Sequence, residues 1–356
     1  MFKAHKLWAL ALAPVFAFAA ESTLPAASKA QGSAPLFLTI TNGAANYLAV
    51  VNSRTGQTTY VPTGGSGGVG GNAGGVAAEG PLAAAVNFAS GNVTVFARRG
   101  DSMQPTQLIK TASQPVSVAF GHGHLLVLGL TTAESFPVYG TDVMKDADGM
   151  VTLVRADKSA AQIVSFDGGA FYVEKSGSVA ILDVSTANGA GITGPSHPVV
   201  LPAFPNNDTP FGVIGRGSNI YLTIAHSDME VLIRNGQVVS SAGGPTPFVD
   251  GSGKFLHAPC WNALSGQFLY SADTPGKQIL RYLVSDTNVF YDKPAAARLT
   301  GGPTDLTAVG NLLGVIDGGD GVTSNASLFK IDSEGELELM FAVKIPGAIN
   351  GAAIIR

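Results

Sequence analysis

Apolar residues in this chain come in short alternating runs, and the runs are separated by Gly, Asn, Asp and Ser instead of continuing with helical spacing. That is the period-two signal of half-buried β-strands joined by tight turns. The stretch from Pro210 shows it: PFGVIG turns at Arg216 to Asn219 into IYLTIAH, loops through Ser227 and Asp228 into MEVLIRNG, and ends in QVVSSAGG. Four such strands make one small antiparallel sheet.

The unit recurs. Comparable openings stand at Gly75 (GVAAE), Pro115 (PVSVAF), Gln162 (QIVSF), Pro210 (PFGVIG), Pro259 (PCWNAL), Pro303 (PTDLTAV) and Ala348 (AINGAAII), 40 to 49 residues apart. A period of that size matches a β-propeller blade of four antiparallel strands. The ends complement each other: LFLTITN, YLAVVN and TTYVPT supply three strands with no inner strand before them, while GAINGAAII is an inner strand with nothing after it. The chain therefore predicts an all-β, seven-bladed propeller whose C-terminal strand joins the N-terminal blade near Phe37, which removes the free sheet edges of an open array. We number that composite blade one and the others two to seven in chain order.

Composition narrows the picture. The chain has 45 Gly and 20 Pro, with 46% hydrophobic and 13% charged residues, so it is turn-rich and neither disordered nor helical. One propeller domain is expected over 35–356, after a flexible segment at 21–34 and a signal peptide at 1–20. That leader has a basic start at Lys3, His5 and Lys6, the apolar run LWALALAPVFAFA, and small residues at Ala17 and Ala19. The run is too short to span a membrane and Pro14 interrupts it, so a secreted or periplasmic protein without a remaining membrane anchor is expected. Cys260 is the sole cysteine, which excludes an intramolecular disulfide. A formal charge of -4 gives no electrostatic case for nucleic acid, leaving a small molecule or a protein as the partner of a monomeric ring. Asn92, Asn207 and Asn325 fit the Asn-x-Ser/Thr pattern of glycosylation acceptors. The Gly64 to Gly75 run lacks the following helix and the Lys of a phosphate loop and reads as a flexible connection.

Propeller geometry sorts the polar residues. Turns after inner strands lie on one face of the ring; entries to inner strands and loops after second strands lie on the other, here called the connection face. The second group comprises Asn42, Asn87, Glu134, Glu174, His226, Asp273 and Asp317, with Gln114, Asp208, Trp261, Asp305 and Asn350 at the entries. Converging carboxylates and a His suit acid/base chemistry or a divalent cation. His226 is the candidate general base, Glu134, Glu174 and Asp273 its partners, and Asp305 and Asp317 candidate metal ligands. The GHGH turn places His122 and His124 on the opposite face, where a solvated turn is expected. Asp146, Asp148 and Gly149 begin like a calcium loop but lack the closing Glu, and no nucleophile elbow is present.

The segments YVPTGGSGGVGG, AVNFASGNVTVF, QPVSVAFGHGHLLVL, FPNNDTPFGVIG and GPTDLTAVGNLLGVI resemble the lactonase-type seven-bladed propellers, the 6-phosphogluconolactonase and 3-carboxymuconate cyclase group, from about Pro35 to Arg356. The resemblance implies lactone opening or closing at the channel mouth by acidic, His and Arg side chains. After the second strand of blade five such proteins often carry Glu, where this chain has His226. Two readings follow: an exported lactonase-like enzyme acting on a lactone or similar cyclic ester, or a non-catalytic propeller binding a ligand or partner at the same face.

Overall fold

The computed structural model describes residues 33–186, 190–203, 209–227, 229–245, 250–254 and 256–356. The leader, Asn207 and Asp208 lie outside the described residues. Seven antiparallel sheets form the ring, and the strand pairing follows chain order from the inner to the outer position in each blade. Their inner strands are Asn350–Ile355, Val76–Glu79, Pro115–Gly121, Ala160–Phe166, Pro210–Arg216, Pro259–Ser265 and Pro303–Val309, for blades one to seven. The outermost position of blade three is shared by two short strands, Asp142–Val143 and Gly149–Thr152.

Blade one closes the ring as the chain ends require. Asn350–Ile355 pairs antiparallel with Leu36–Ile40, placing Phe37 opposite Ile354 and Leu36 opposite Ile355. A guanidinium from the neighbouring blade clamps the seam: Arg98 donates to the carbonyls of Ile355 and Ala34. Burial reinforces it, because Phe37 and Ile354 pack with Ile316 and Leu328 of blade seven. Each such side chain contributes on the order of 1.5–3 kcal/mol when fully buried.

Apolar residues of adjacent blades interlock in the same way around the ring. Tyr221 and Leu232 of blade five, for instance, pack with Leu269, Leu280 and Tyr282 of blade six. Alternate residues of each strand therefore meet the neighbouring blade on either side, so second strands such as HLLVLG and NIYLTI are buried along their whole length, which is why the chain carries unusually few charges.

Candidate functional site

Most of the residues singled out on the connection face lie at corresponding places in successive blades, but Glu134, Glu174, His226 and Asp273 are each engaged by the chain segment that enters their own blade. Glu174 ends the second strand of blade four and accepts the N–H groups of Arg155 (3.0 Å) and Ala156 (2.8 Å), one on each carboxylate oxygen. Asp273, at the same place in blade six, is fully buried and accepts from Ala258 N (2.9 Å) and Gln278 Nε2 (2.8 Å), with His257 Nδ1 at 2.8 Å. Glu134 opens the third strand of blade three, not the end of the second, and accepts from Ala112 N at 2.9 Å. Burial raises its carboxyl above the usual range, against the opposing pull of that hydrogen bond.

The remaining blades repeat the arrangement with other side chains. His226 follows the second strand of blade five in a short 3-10 turn, with Nδ1 at 2.7 Å from Thr209 Oγ1. Asn87 in blade two accepts from Thr63 Oγ1 (2.6 Å), and Asp317 in blade seven binds Gly319 N (2.8 Å) and Asn325 Nδ2 (2.8 Å), the latter also reaching Thr300. A polar side chain at this position thus satisfies backbone or hydroxyl groups that would be stranded where one blade hands over to the next. Asp305 and Asp317 occupy different surroundings, and among the described residues no three His, Cys, Asp or Glu side chains are grouped to hold a metal ion. Asn325, a glycosylation candidate by sequence, is buried and donates its Nδ2 to Asp317 and Thr300.

What does converge on the axis is the glycine-rich segment. It crosses the channel mouth on the connection face instead of looping freely between blades one and two, and Val69, Asn72 and Ala73 are buried. Asn72 exchanges carboxamide hydrogen bonds with Asn350 of blade one: Asn350 Nδ2 donates to Asn72 Oδ1 (2.9 Å) and Asn72 Nδ2 to Asn350 Oδ1 (3.2 Å). The same Nδ2 donates to Val116 O of blade three at 2.5 Å, and Trp261 Nε1 of blade six donates to Asn72 O at 2.9 Å. Ala73 N donates to Ala161 O of blade four (3.1 Å), Gly74 N to Asp305 Oδ2 of blade seven (3.0 Å), and Lys175 Nζ to Gly71 O. One short stretch therefore ties five other blades together.

Glycine is needed here for space and for conformation. Gly74 has φ +65°, and a Cβ on it would stand 2.8 Å from Ser117 Oγ; on Gly75 it would stand 2.1 Å from Asn350 Oδ1. Asn42, which the sequence placed in the site, anchors the approach by accepting Gly68 N (2.7 Å) and Val69 N (3.0 Å). Of the sequence candidates, Asn42, Trp261, Asp305 and Asn350 meet this plug, while Glu134, Glu174, His226 and Asp273 serve the inter-blade connections. Asn72 and Lys175 were missed. The one signal for Asn72 was an amide, flanked by Ala73, inside an otherwise featureless Gly run.

Two electrostatic consequences follow. Asp305 accepts the N–H groups of Gly74, Leu306 and Ala352, yet complete burial outweighs them and pushes its carboxyl up to about 7. Lys175 is lowered by burial, its ammonium lying 5.6 Å from the Phe211 ring centroid. Phe211 in turn meets Trp261 edge-on, with centroids 5.1 Å apart.

Below the plug the channel remains a cavity of about 440 Å³ between the inner strands, lined by small and apolar side chains such as Ala77, Ala119 and Val164 together with polar ones such as Gln162 and Thr307, with Ser165 and Arg216 at the turn-face end. Arg216 is half-buried and donates Nη1 to Gly266 O and Nη2 to Tyr221 Oη (3.3 Å). Asn262, also in the wall, gives Nδ2 to Glu230 (3.0 Å) and leaves Oδ1 without a partner among the described residues.

The turn-face histidines are more embedded than a solvated turn. His124 is 4% exposed, with Nε2 at 2.8 Å from Asp148 Oδ2 and Nδ1 at 2.8 Å from His122 O. Asp148 also accepts from Ser135 Oγ (2.8 Å) and Gly191 N (3.0 Å), so two sequence features read separately form one tie between blades three and four.

No family model matches the chain, and no curated protein does. Solved structures do. A proposed 6-phosphogluconolactonase from Bacteroides fragilis superposes with TM-score 0.62 at 12% identity, covering 91% of this chain and 98% of its own. The fold is that of the lactonase-type seven-bladed propellers. A second proposed 6-phosphogluconolactonase, from Bacteroides uniformis, gives TM-score 0.62 at 16% identity over 90% of this chain and 99% of its own. A virginiamycin B lyase from Staphylococcus aureus, crystallised with quinupristin, gives 0.54 at 13% identity over 81% and 93%. At such identities the likeness is one of fold, and chemistry has to be argued from this chain's own residues.

Proposed function

We propose that this chain is an exported, non-catalytic propeller that binds a small ligand in the channel from the turn face. The observation that carries this reading is the use of both Glu174 oxygens, and of Asp273, by backbone N–H groups of the connections. A carboxylate so engaged cannot approach a substrate without stranding buried donors, each worth about 1–3 kcal/mol. The plug adds a second reason, since Asn72 fills the mouth at which lactone chemistry was expected. Export rests on the leader pattern of Met1 to Ala20, and N-terminal sequencing of the exported protein checks it.

The cavity's wall mixes small apolar side chains with polar ones such as Gln162, Ser165 and Arg216, which favours a compact amphipathic molecule with its polar end against Arg216. A fragment screen by ligand-observed NMR tests the site. Hits should be displaced by Ala119→Phe, which fills the cavity, and weakened by Arg216→Ala. Hits unaffected by both changes would remove the channel as the binding site. A lactone panel with and without EDTA tests the enzymatic alternative: turnover that falls about 10²-fold in His226→Ala would establish a general base and overturn the non-catalytic reading.

A further inference from the structure

The plug is held as a ligand is held. Along Gly71–Gly74, Gly71 O accepts from Lys175, Asn72 O from Trp261 Nε1, and Gly74 O from Val118 N (2.8 Å) and Ser117 Oγ (3.3 Å), while Ala73 N donates to Ala161 O and Gly74 N to Asp305. The Asn72 carboxamide is read on both sides, by Asn350 and by Val116 O. Backbone recognition along a short segment, with a pocket for one side chain, is how peptides are bound.

We propose that the channel mouth on the connection face is a peptide-binding site occupied here in cis, and that it accepts in trans a neutral peptide with Asn followed by Ala and Gly. Three features define that specificity. Asn is required because its Oδ1 accepts from Asn350 and its Nδ2 donates to Val116 O, a pairing that Asp cannot reproduce. The residues after it must be small because Ser117 Oγ and Asn350 Oδ1 crowd the Gly74 and Gly75 positions. A neutral peptide suits a seat whose charged contacts among the described residues are one acid, Asp305, and one base, Lys175. Displacement of the cis segment is favoured by its own glycines, whose ordering has a larger entropy cost than that of other residues. Tethering opposes displacement by giving the cis segment an effective concentration of roughly millimolar order.

The test removes the cis side chain and supplies the peptide. Asn72→Gly should remain folded by circular dichroism and bind acetyl-Gly-Gly-Asn-Ala-Gly-Gly-amide saturably in isothermal titration, with at least tenfold weaker binding of the Asp analogue. Adding Trp261→Phe should abolish binding by removing the Nε1 donor. Equal binding of the Asn and Asp peptides, or no binding to folded Asn72→Gly at millimolar peptide, overturns the proposal. Should Asn72→Gly fail to fold, hydrogen exchange in the unaltered protein decides. The amides of Ala73 and Gly74 should exchange through a local opening faster than that of Leu222 in the core of blade five, and exchange only with global unfolding would mean that the segment never leaves. Neither measurement depends on Arg216 or on the turn-face cavity, so its outcome is separate from that of the channel ligand.

Discussion

Arg98 and Ile355 stand 257 positions apart and are joined by a 3.0 Å hydrogen bond from the guanidinium to the backbone carbonyl. The same side chain reaches Ala34 O, so one residue of blade two holds both the first and the last strand of the ring. Arg98→Ala should destabilise the protein by about 1–3 kcal/mol, because two carbonyls lose a charged donor in a nearly water-free seam. Arg98→Lys should restore only part of that, since a single ammonium cannot fork between the two oxygens as a guanidinium does. Urea unfolding of the three proteins checks the order, and equal midpoints would show that strand pairing alone holds the seam.

Glu174 provides a test of structural against catalytic use. Glu174→Ala leaves the N–H groups of Arg155 and Ala156 without acceptors and should lower stability by about 1–3 kcal/mol, whereas Glu174→Gln, which keeps one good acceptor, should recover part of the loss. Ligand affinity measured on the folded fraction should be unchanged in both variants. A loss of binding without a loss of stability would return Glu174 to the site.

The blades were legible in the sequence because alternation of apolar and polar residues is a local property, visible within each PFGVIG- or PTDLTAV-like run. Ring closure was legible for a related reason: an inner strand at Ala348 and its absence before Phe37 are complementary deficits in one repeat. The positions of Glu174 and Asp273 could be found from strand counting, but their use could not. It depends on which backbone N–H groups the preceding connection brings within 3 Å, and the connections carry no periodic signal. The plug was hidden more deeply. Asn72 binds residues 44 and 278 positions away, and nothing in a glycine run encodes such partners.

His124 and Asp148 illustrate the cost of reading a turn from its composition. Gly-His-Gly-His was expected to be a solvated turn, yet His124 is buried against Asp148, and His122 Nε2 lies 2.8 Å from Phe166 O of blade four. His124→Ala should therefore cost about 1–3 kcal/mol by leaving Asp148 short of a partner, well above the ~0.5 kcal/mol typical of a surface turn. Thermal unfolding of His124→Ala beside His122→Ala measures this, and a shift no larger than that of an exposed-turn control would contradict the buried tie.

Asp305 makes stability depend on pH in a defined window. Its carboxyl moves from an ordinary 3.8 to about 7 in the folded protein, so the folded state holds the proton more tightly than the unfolded chain. The contribution is fully present below about 4 and is lost as pH rises to about 7, with a ceiling of about 4 kcal/mol from ~1.4 kcal/mol per unit. Asp320 shows the opposite displacement, held at about 2 by the N–H groups of Val322 and Thr323, and its influence appears only as pH falls below about 4. Glu134 is also raised by burial and adds a pH dependence of the same sign, which is why the informative quantity is a difference between two proteins. Asp305→Asn should match the unaltered protein more closely near pH 4 and exceed it in stability near pH 8, because an amide can still accept from Gly74 N without the desolvation penalty of a charge. Urea midpoints at both pH values supply the four numbers needed, and a stability difference that does not change with pH would show that Asp305 does not titrate in this interval.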